Sequence, residues 1–137
     1  MIRANGKYHI AVAAFARKLG LKIDVVARRV AIDLFDRIVL RTPVDTGRAR
    51  ASWQIGIGKA STFVRGKNYN NPGGAAGDAR QQHAKLARFK SGNGNRIFIS
   101  NNLPYIGALE FGHSDQAPHG MVRISVAEVK AEIQARL

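Results

Sequence analysis

Thr42-Pro43-Val44-Asp45-Thr46-Gly47-Arg48-Ala49-Arg50-Ala51-Ser52-Trp53 is the stretch on which the fold turns, because a helix ends, the chain reverses and a new period begins within it. Before it, Ile23, Val26, Val30, Leu34 and Ile38 recur at helical spacing, with Ala27 and Ala31 in the same stripe, which predicts an amphipathic helix over 23–41. Ile32, Phe35 and Val39 widen the apolar face, so this helix is expected to be covered on more than one side. Asp24 stands four residues before Arg28, and Asp33 four before Arg37; such pairs contribute roughly 0.2–0.5 kcal/mol each. Thr42-Pro43 ends the helix, since the residue before proline is pushed out of the helical region and proline has no N–H for the ladder. Asp45-Thr46-Gly47 then reads as a tight turn. Beyond it, Ala49, Ala51, Trp53, Ile55 and Ile57 alternate with Arg48, Arg50, Ser52 and Gln54. That period predicts a strand with one buried face and two arginines together on the wet one.

Outward from this stretch the remaining elements follow. Gly56, Gly58 and residues 59–77 make a long glycine- and asparagine-rich connection bearing Lys59, Arg65 and Lys67 with Phe63 and Tyr69. Loops of this length inside a small domain are functional or mobile. Asp78 is placed to cap a helix over 79–89, which Gly92-Asn93-Gly94-Asn95 ends. Arg96 to Ser100 reads as a short strand, Ile97 and Ile99 on one face and Phe98 on the other, and is the natural partner of the Trp53 strand. Pro104 to Phe111 suits a short helical turn closed by Gly112, residues 113–120 are polar, and Val122, Val126, Val129, Ile133 and Leu137 mark one stripe of a terminal helix. Residues 1–22 read as an arm, with a turn at Asn5-Gly6 and a short helix from Ile10 to Leu19 that Gly20 ends. The expectation is a single α+β domain over 1–137. A long amphipathic N-terminal helix and a C-terminal helix pack on a small antiparallel sheet, interrupted by a basic loop-helix insertion over 59–94.

Composition limits the function. Hydrophobic residues are 45% of the 137, enough to build a core and to exclude wholesale disorder. Arg or Lys interrupts every apolar run before it nears the roughly 20 residues that span a bilayer. The apolar run Ile10–Ala16 is too short for a signal peptide, so a cytoplasmic site of synthesis is expected. Absence of cysteine removes disulfides, thiolate catalysis and cysteine-ligated zinc. The formal charge of +13 is unevenly placed: 9 basic and 4 acidic residues over 1–47, 10 and 1 over 48–96, 3 and 4 from Ile97 onward. The middle therefore carries the field, and its partners are polyanions: nucleic acid or an acidic protein face.

Candidate chemistry is sparse. Asp45-Thr46-Gly47 matches the signature of aspartic proteases, but there the motif ends a hydrophobic strand, whereas here it follows a helix and a proline and precedes two arginines; the turn is the better reading. Glu110, His113 and His119 lie close, yet a helix-ending glycine and a proline break any metal-ligand spacing. His9 and His83 read as surface residues, and neither Ser100 nor Ser114 has an evident base and orienter beside it. Trp53, Tyr105 and Phe111 are more simply core than a ligand box. Glu110, between Leu109 and Phe111, calls for a cationic partner in this subunit or the next. No enzyme, cofactor or metal is expected.

Two blocks together resemble a known family. Residues 42–53, as quoted above, are similar to one block of the tail-completion proteins of tailed bacteriophages, also described as head-tail joining or neck morphogenesis proteins. Ile99-Ser100-Asn101-Asn102-Leu103-Pro104-Tyr105-Ile106-Gly107-Ala108-Leu109-Glu110-Phe111-Gly112-His113-Ser114, followed by Gln116-Ala117-Pro118 and Gly120-Met121-Val122-Arg123, is similar to the other. The resemblance covers residues 25–137, apart from the 59–94 insertion. It implies a non-catalytic virion subunit, made in the host cytoplasm, that forms a homo-oligomeric ring of six copies at the head-proximal end of the tail. Such a ring would meet a tail terminator or tube protein on one side and head-closure or adaptor neck proteins on the other, with no membrane involved. Pro43, Asp45, Gly47, Trp53, Asn102, Pro104, Tyr105, Glu110, Gly112, Pro118 and Gly120 become its structural and interface motif. Arg48, Arg50, Lys59, Arg65 and Lys67 become candidate contacts to genomic DNA in the channel or to acidic partners. Rings close by heterologous contacts, so the basic middle and the acidic last third are expected to face each other between copies. The rival reading is a basic DNA-binding protein without sequence specificity, although no helix-turn-helix, zinc finger or nucleic-acid-binding sheet signature is present.

Overall fold

In a computed structural model, which describes residues 12–73, 75–92, 95–112 and 114–136, the spacing of apolar residues translates directly into the two N-terminal helices: α1 over Val12–Leu19 and α2 over Ile23–Arg41. Gly20 separates them by adopting a left-handed conformation, φ 68°. The Asn5-Gly6 turn lies outside the described residues. Helix α2 buries Val26, Ala31, Phe35, Ile38 and Val39, while Ile23, expected in the stripe, is exposed.

The alternation over 49–57 is overturned in its first half. Arg48–Ala51 is a helical turn, α3, and the strand β1 covers only Gln54–Ile57. Gly47, at φ 84°, swings the chain so that Ala51 N–H donates to the Gly47 carbonyl at 2.9 Å. Alanine and arginine are among the best helix formers, so once the turn is set their propensity favours a helical turn over extension. Ala49 and Ala51 are buried either way, which is why the pattern misleads. The second strand, β2 over Ile97–Ser100, pairs antiparallel with β1 as expected, in the register Gln54↔Ser100, Ile55↔Ile99, Gly56↔Phe98 and Ile57↔Ile97.

The second half of the insertion belongs to the body. Helix α4 spans Ala75–Lys85, so Asp78 lies inside it and is not its cap; a 3-10 turn, Leu86–Arg88, continues it. Leu86 and Phe89 are buried, and the Gln82 side chain accepts the Ile55 N–H at 2.8 Å, which fixes this helix against β1. His83 is not isolated: Nε2 lies 2.7 Å from Asp36 Oδ1 on α2.

Helix α5 is shorter than expected, Ile106–Glu110, with Pro104 and Tyr105 in the turn before it; α6 covers Val122–Arg136. Val122, Val126, Val129 and Ile133 face inward along α6 as their spacing predicts, and Leu137 lies outside the described residues. The main core joins Phe35 and Ile38 to Trp53, Ile55, Leu86, Leu103, Ile106, Met121 and Val126. A smaller cluster joins Phe15 and Ala16 of α1, Val26 of α2, and Val129 and Ile133 of α6. Charges stitch α2 to α6 along their wet edge: Arg37 reaches Asp33 at 2.8 Å, Glu128 at 3.2 Å and Glu132 at 2.7 Å, and Arg41 reaches Glu128 at 2.6 Å. Among the described residues no helix is long and apolar enough to cross a membrane.

Candidate functional site

The site begins where α2 ends. Thr42 is fully buried; its hydroxyl donates to the Ile38 carbonyl at 2.7 Å and accepts the Trp53 indole N–H at 2.7 Å. That relay fixes the distance between the proline stop and the tryptophan, and it satisfies two buried polar groups that would otherwise cost about 1–3 kcal/mol each. Arg50 turns back on the same helix end, Nη2 donating to the Leu40 carbonyl at 2.9 Å and Nε to the Thr42 carbonyl at 3.3 Å. A cation here meets the negative end of the α2 dipole.

The turn at 45–47 is held from two sides. Thr46 accepts the Arg48 N–H on its hydroxyl, and its carbonyl accepts the Asn71 N–H at 2.8 Å. At Gly47 any Cβ would stand 2.6 Å from the Asn71 carbonyl oxygen, so the positive φ and the close approach both demand glycine. Asp45 is exposed on this bend, not at the end of a strand. Gln116 clamps Val44, accepting its N–H at 2.9 Å and donating to its carbonyl at 3.3 Å, and so draws the two quoted blocks together. Asn101 does the same inside the core: Nδ2 donates to the Ala49 carbonyl at 3.0 Å while Oδ1 accepts the Leu103 N–H at 3.1 Å. Asn102 donates to the carbonyls of Ser61 and Phe63 at 2.7 and 3.0 Å, tying down the start of the long loop.

Glu110 has found its cation within the chain. Its carboxylate, 2% exposed, accepts the N–H groups of Met121 and Val122 on Oε1 at 2.9 and 2.8 Å, and the N–H and Nε–H of Arg123 on Oε2 at 3.1 and 2.9 Å. Arg123 also donates Nη2 to the Glu110 carbonyl at 2.8 Å and lies over the Phe111 ring, 4.6 Å from its centroid. The carboxylate thus caps α6, supplying acceptors to N–H groups that have no partner within the helix. Both its oxygens are committed to donors. Among the described residues no group of three or more His, Asp or Glu side chains is placed to hold a metal ion; His113 lies outside those residues. Gly112 and Gly120 close the loop, since a Cβ would meet the Pro118 carbonyl in the first case and the Glu110 carbonyl in the second. Pro118 is exposed on that loop.

These supports shape one shallow cleft of about 320 Å³, lined by Pro43, Val44, Asp45, Arg48, Tyr105 and Gln116 among others. Pro43, Asp45, Gly47 and Tyr105 of the expected motif meet there, whereas Trp53, Asn102, Glu110, Gly112 and Gly120 act behind it as supports. The expected basic contacts divide. Arg48 donates Nε to the Arg65 carbonyl at 2.9 Å and lies 5.9 Å from the Tyr105 ring centroid; Arg65 donates Nε to the Ala51 carbonyl at 3.0 Å and lies over Phe63 and Tyr69, 5.2 and 4.8 Å from their centroids. Together with Arg50, which reaches from α3 to the end of α2, these arginines hold the fold together and do not line a wet strand face. Lys59 and Lys67 remain exposed. The acids of the last third are similarly occupied: Glu128 and Glu132 pair with Arg37 and Arg41, and Glu110 with Arg123, while Asp115 has no ion-pair partner among the described residues. A glutamate between two apolar residues was the sequence signal for the Glu110 cap; nothing in the sequence marked Gln82, Gln116 or Asn101 as the bridges they are.

No family model matches the chain, and no curated protein and no solved structure matches it.

Proposed function

We propose that this protein is a structural subunit of a tailed-phage neck, a tail-completion protein that assembles as a ring at the head-proximal end of the tail and joins tail to head. The observation that carries the reading is how the two family-like blocks are used. Gln116 on Val44, Asn101 on Ala49 and Glu110 on the start of α6 consume their polar groups in fixing the backbone around one cleft. A surface so built is suited to mating with another rigid surface, because pre-ordered loops lose little entropy on docking. Tyr105, which lines the cleft, and Phe111 are not core as their residue type suggested but exposed, at 40% and 66%, and so suit burial against a neighbouring copy. A DNA-binding role is less well supported, because Arg48, Arg50 and Arg65 spend donors on backbone carbonyls.

The test is genetic and physical together. Particles assembled without this chain are expected to yield filled heads and finished tails that do not join, and the purified chain is expected to form a ring on isolated tail tubes. Connected, infectious particles lacking the chain would refute the proposal.

A further inference from the structure

A two-stranded sheet has two outer edges, and here they are treated differently. Gly58 N–H donates to the Arg96 carbonyl at 2.8 Å, so with the observed register the hydrogen-bonded pairs are Gly56 with Phe98 and Gln54 with Ser100. Residues between them point their backbone groups outward. On β1 the outward Ile55 N–H is taken by Gln82, and α4 covers that edge. On β2 the outward groups belong to Ile97 and Ile99, and no described residue bonds them.

This bare edge opens on a groove of about 200 Å³. Its walls are Arg96 to Ser100 in succession along β2, Leu34 and Ile38 of α2, and Val122 and Val126 of α6. Ser100 lines it, and its buried hydroxyl has no hydrogen-bond partner among the described residues. An unpaired N–H and C=O row beside an apolar trough is the arrangement that accepts an added strand: backbone bonds supply affinity, and alternate side chains fill the trough.

We infer that the free edge of β2 is a docking site for an extended segment of another protein, apolar at alternate positions and acidic at the end that lies against Arg96. Charge selects this occupant. Arg96, Lys59 and Lys90 are exposed at the same end of the sheet, since Gly58 bonds Arg96 and Asn95 donates to the Lys90 carbonyl at 2.9 Å; among the described residues no acid pairs with them. A second copy is a poor match: the chain carries +13, and its own strands, Gln54–Ile57 and Ile97–Ser100, contain no acid. The edge and the charge beside it carry this assignment, which stands or falls separately from the neck reading.

Amide exchange of the full chain, followed by NMR, tests it with a short capped peptide that alternates valine with threonine and ends in aspartate. Exchange at Ile97 and Ile99 is expected to slow on addition of the peptide, while Phe98 and Ser100, already bonded to β1, stay unchanged. N-methylation of the peptide amides that face β2 is expected to weaken binding about tenfold or more. Arg96→Glu is expected to weaken the aspartate peptide and strengthen one ending in lysine. No slowing at any soluble peptide concentration, or binding indifferent to N-methylation, overturns the inference. So does protection of both amides in the free protein: if it fades on dilution the edge belongs to a second copy, and if it persists until residues 1–11 are removed it belongs to the chain's own start.

Discussion

Replacing Glu110 by alanine removes every acceptor that its carboxylate offers to the start of α6. Two of the stranded donors, the N–H groups of Met121 and Val122, belong to buried residues, and a buried donor left without a partner costs about 1–3 kcal/mol. The Arg123 side chain is 43% exposed, so water replaces much of what it loses and its share is small. Loss of a helix cap costs typically about 1 kcal/mol, but it overlaps with the unpaired donors and is not added in full. At about 1.5 kcal/mol for each of the two stranded N–H groups the loss is about 3 kcal/mol, a large part of the roughly 5–15 kcal/mol that is usual for a domain. With a urea slope of about 1.5 kcal/mol/M, the unfolding midpoint is expected to fall by about 2 M. Glu110→Gln keeps one acceptor oxygen in place and is expected to lose about half as much. Urea titration followed by circular dichroism measures both. A loss under about 1 kcal/mol for Glu110→Ala, or equal losses for the two variants, would refute the argument that backbone capping, and not filling of space, is what Glu110 contributes.

Gly47→Ala meets both a positive φ and the Asn71 carbonyl at 2.6 Å; the expected cost is about 1–3 kcal/mol, seen as a lower melting temperature. Trp53→Phe keeps an aromatic ring in the core but removes the indole N–H donated to Thr42, and is expected to cost about 2 kcal/mol by the same titration. Acid should weaken the seam between α2 and α6. Arg41, and then Arg37, hold the Glu128 carboxyl below its ordinary 4.5; because the folded-state value is the lower one, its contribution is present at neutral pH and lost as pH falls below that value. The melting temperatures of wild type and Glu128→Gln should therefore differ at pH 7 and draw together as the pH is lowered well below 4.5, and a difference that is constant with pH would sink this assignment.

Local information sufficed for helices α2 and α6, the proline stop, the turn at Gly47 and the pairing of the two short strands, because each rests on periodicity or on a residue with restricted dihedrals. It misjudged residues 48–51, where alternating arginine and alanine satisfy a strand pattern and a helical propensity at once. Only the position of Gly47 against Asn71 and of Arg50 against the end of α2 settles the choice, and both are contacts made after the chain has turned.

The sequence by itself determined the α+β class and the cationic middle, and that Glu110 needed a cation. Only the tertiary structure decided that the cation is Arg123 of the same chain, that Arg48, Arg50 and Arg65 bind backbone carbonyls, and that one sheet edge is capped by Gln82 while the other is bonded by no described residue. The physical reason is that charge and period are properties of single residues and their near neighbours, whereas the partner of a buried donor or acceptor is whatever distant segment folding brings within about 3 Å of it.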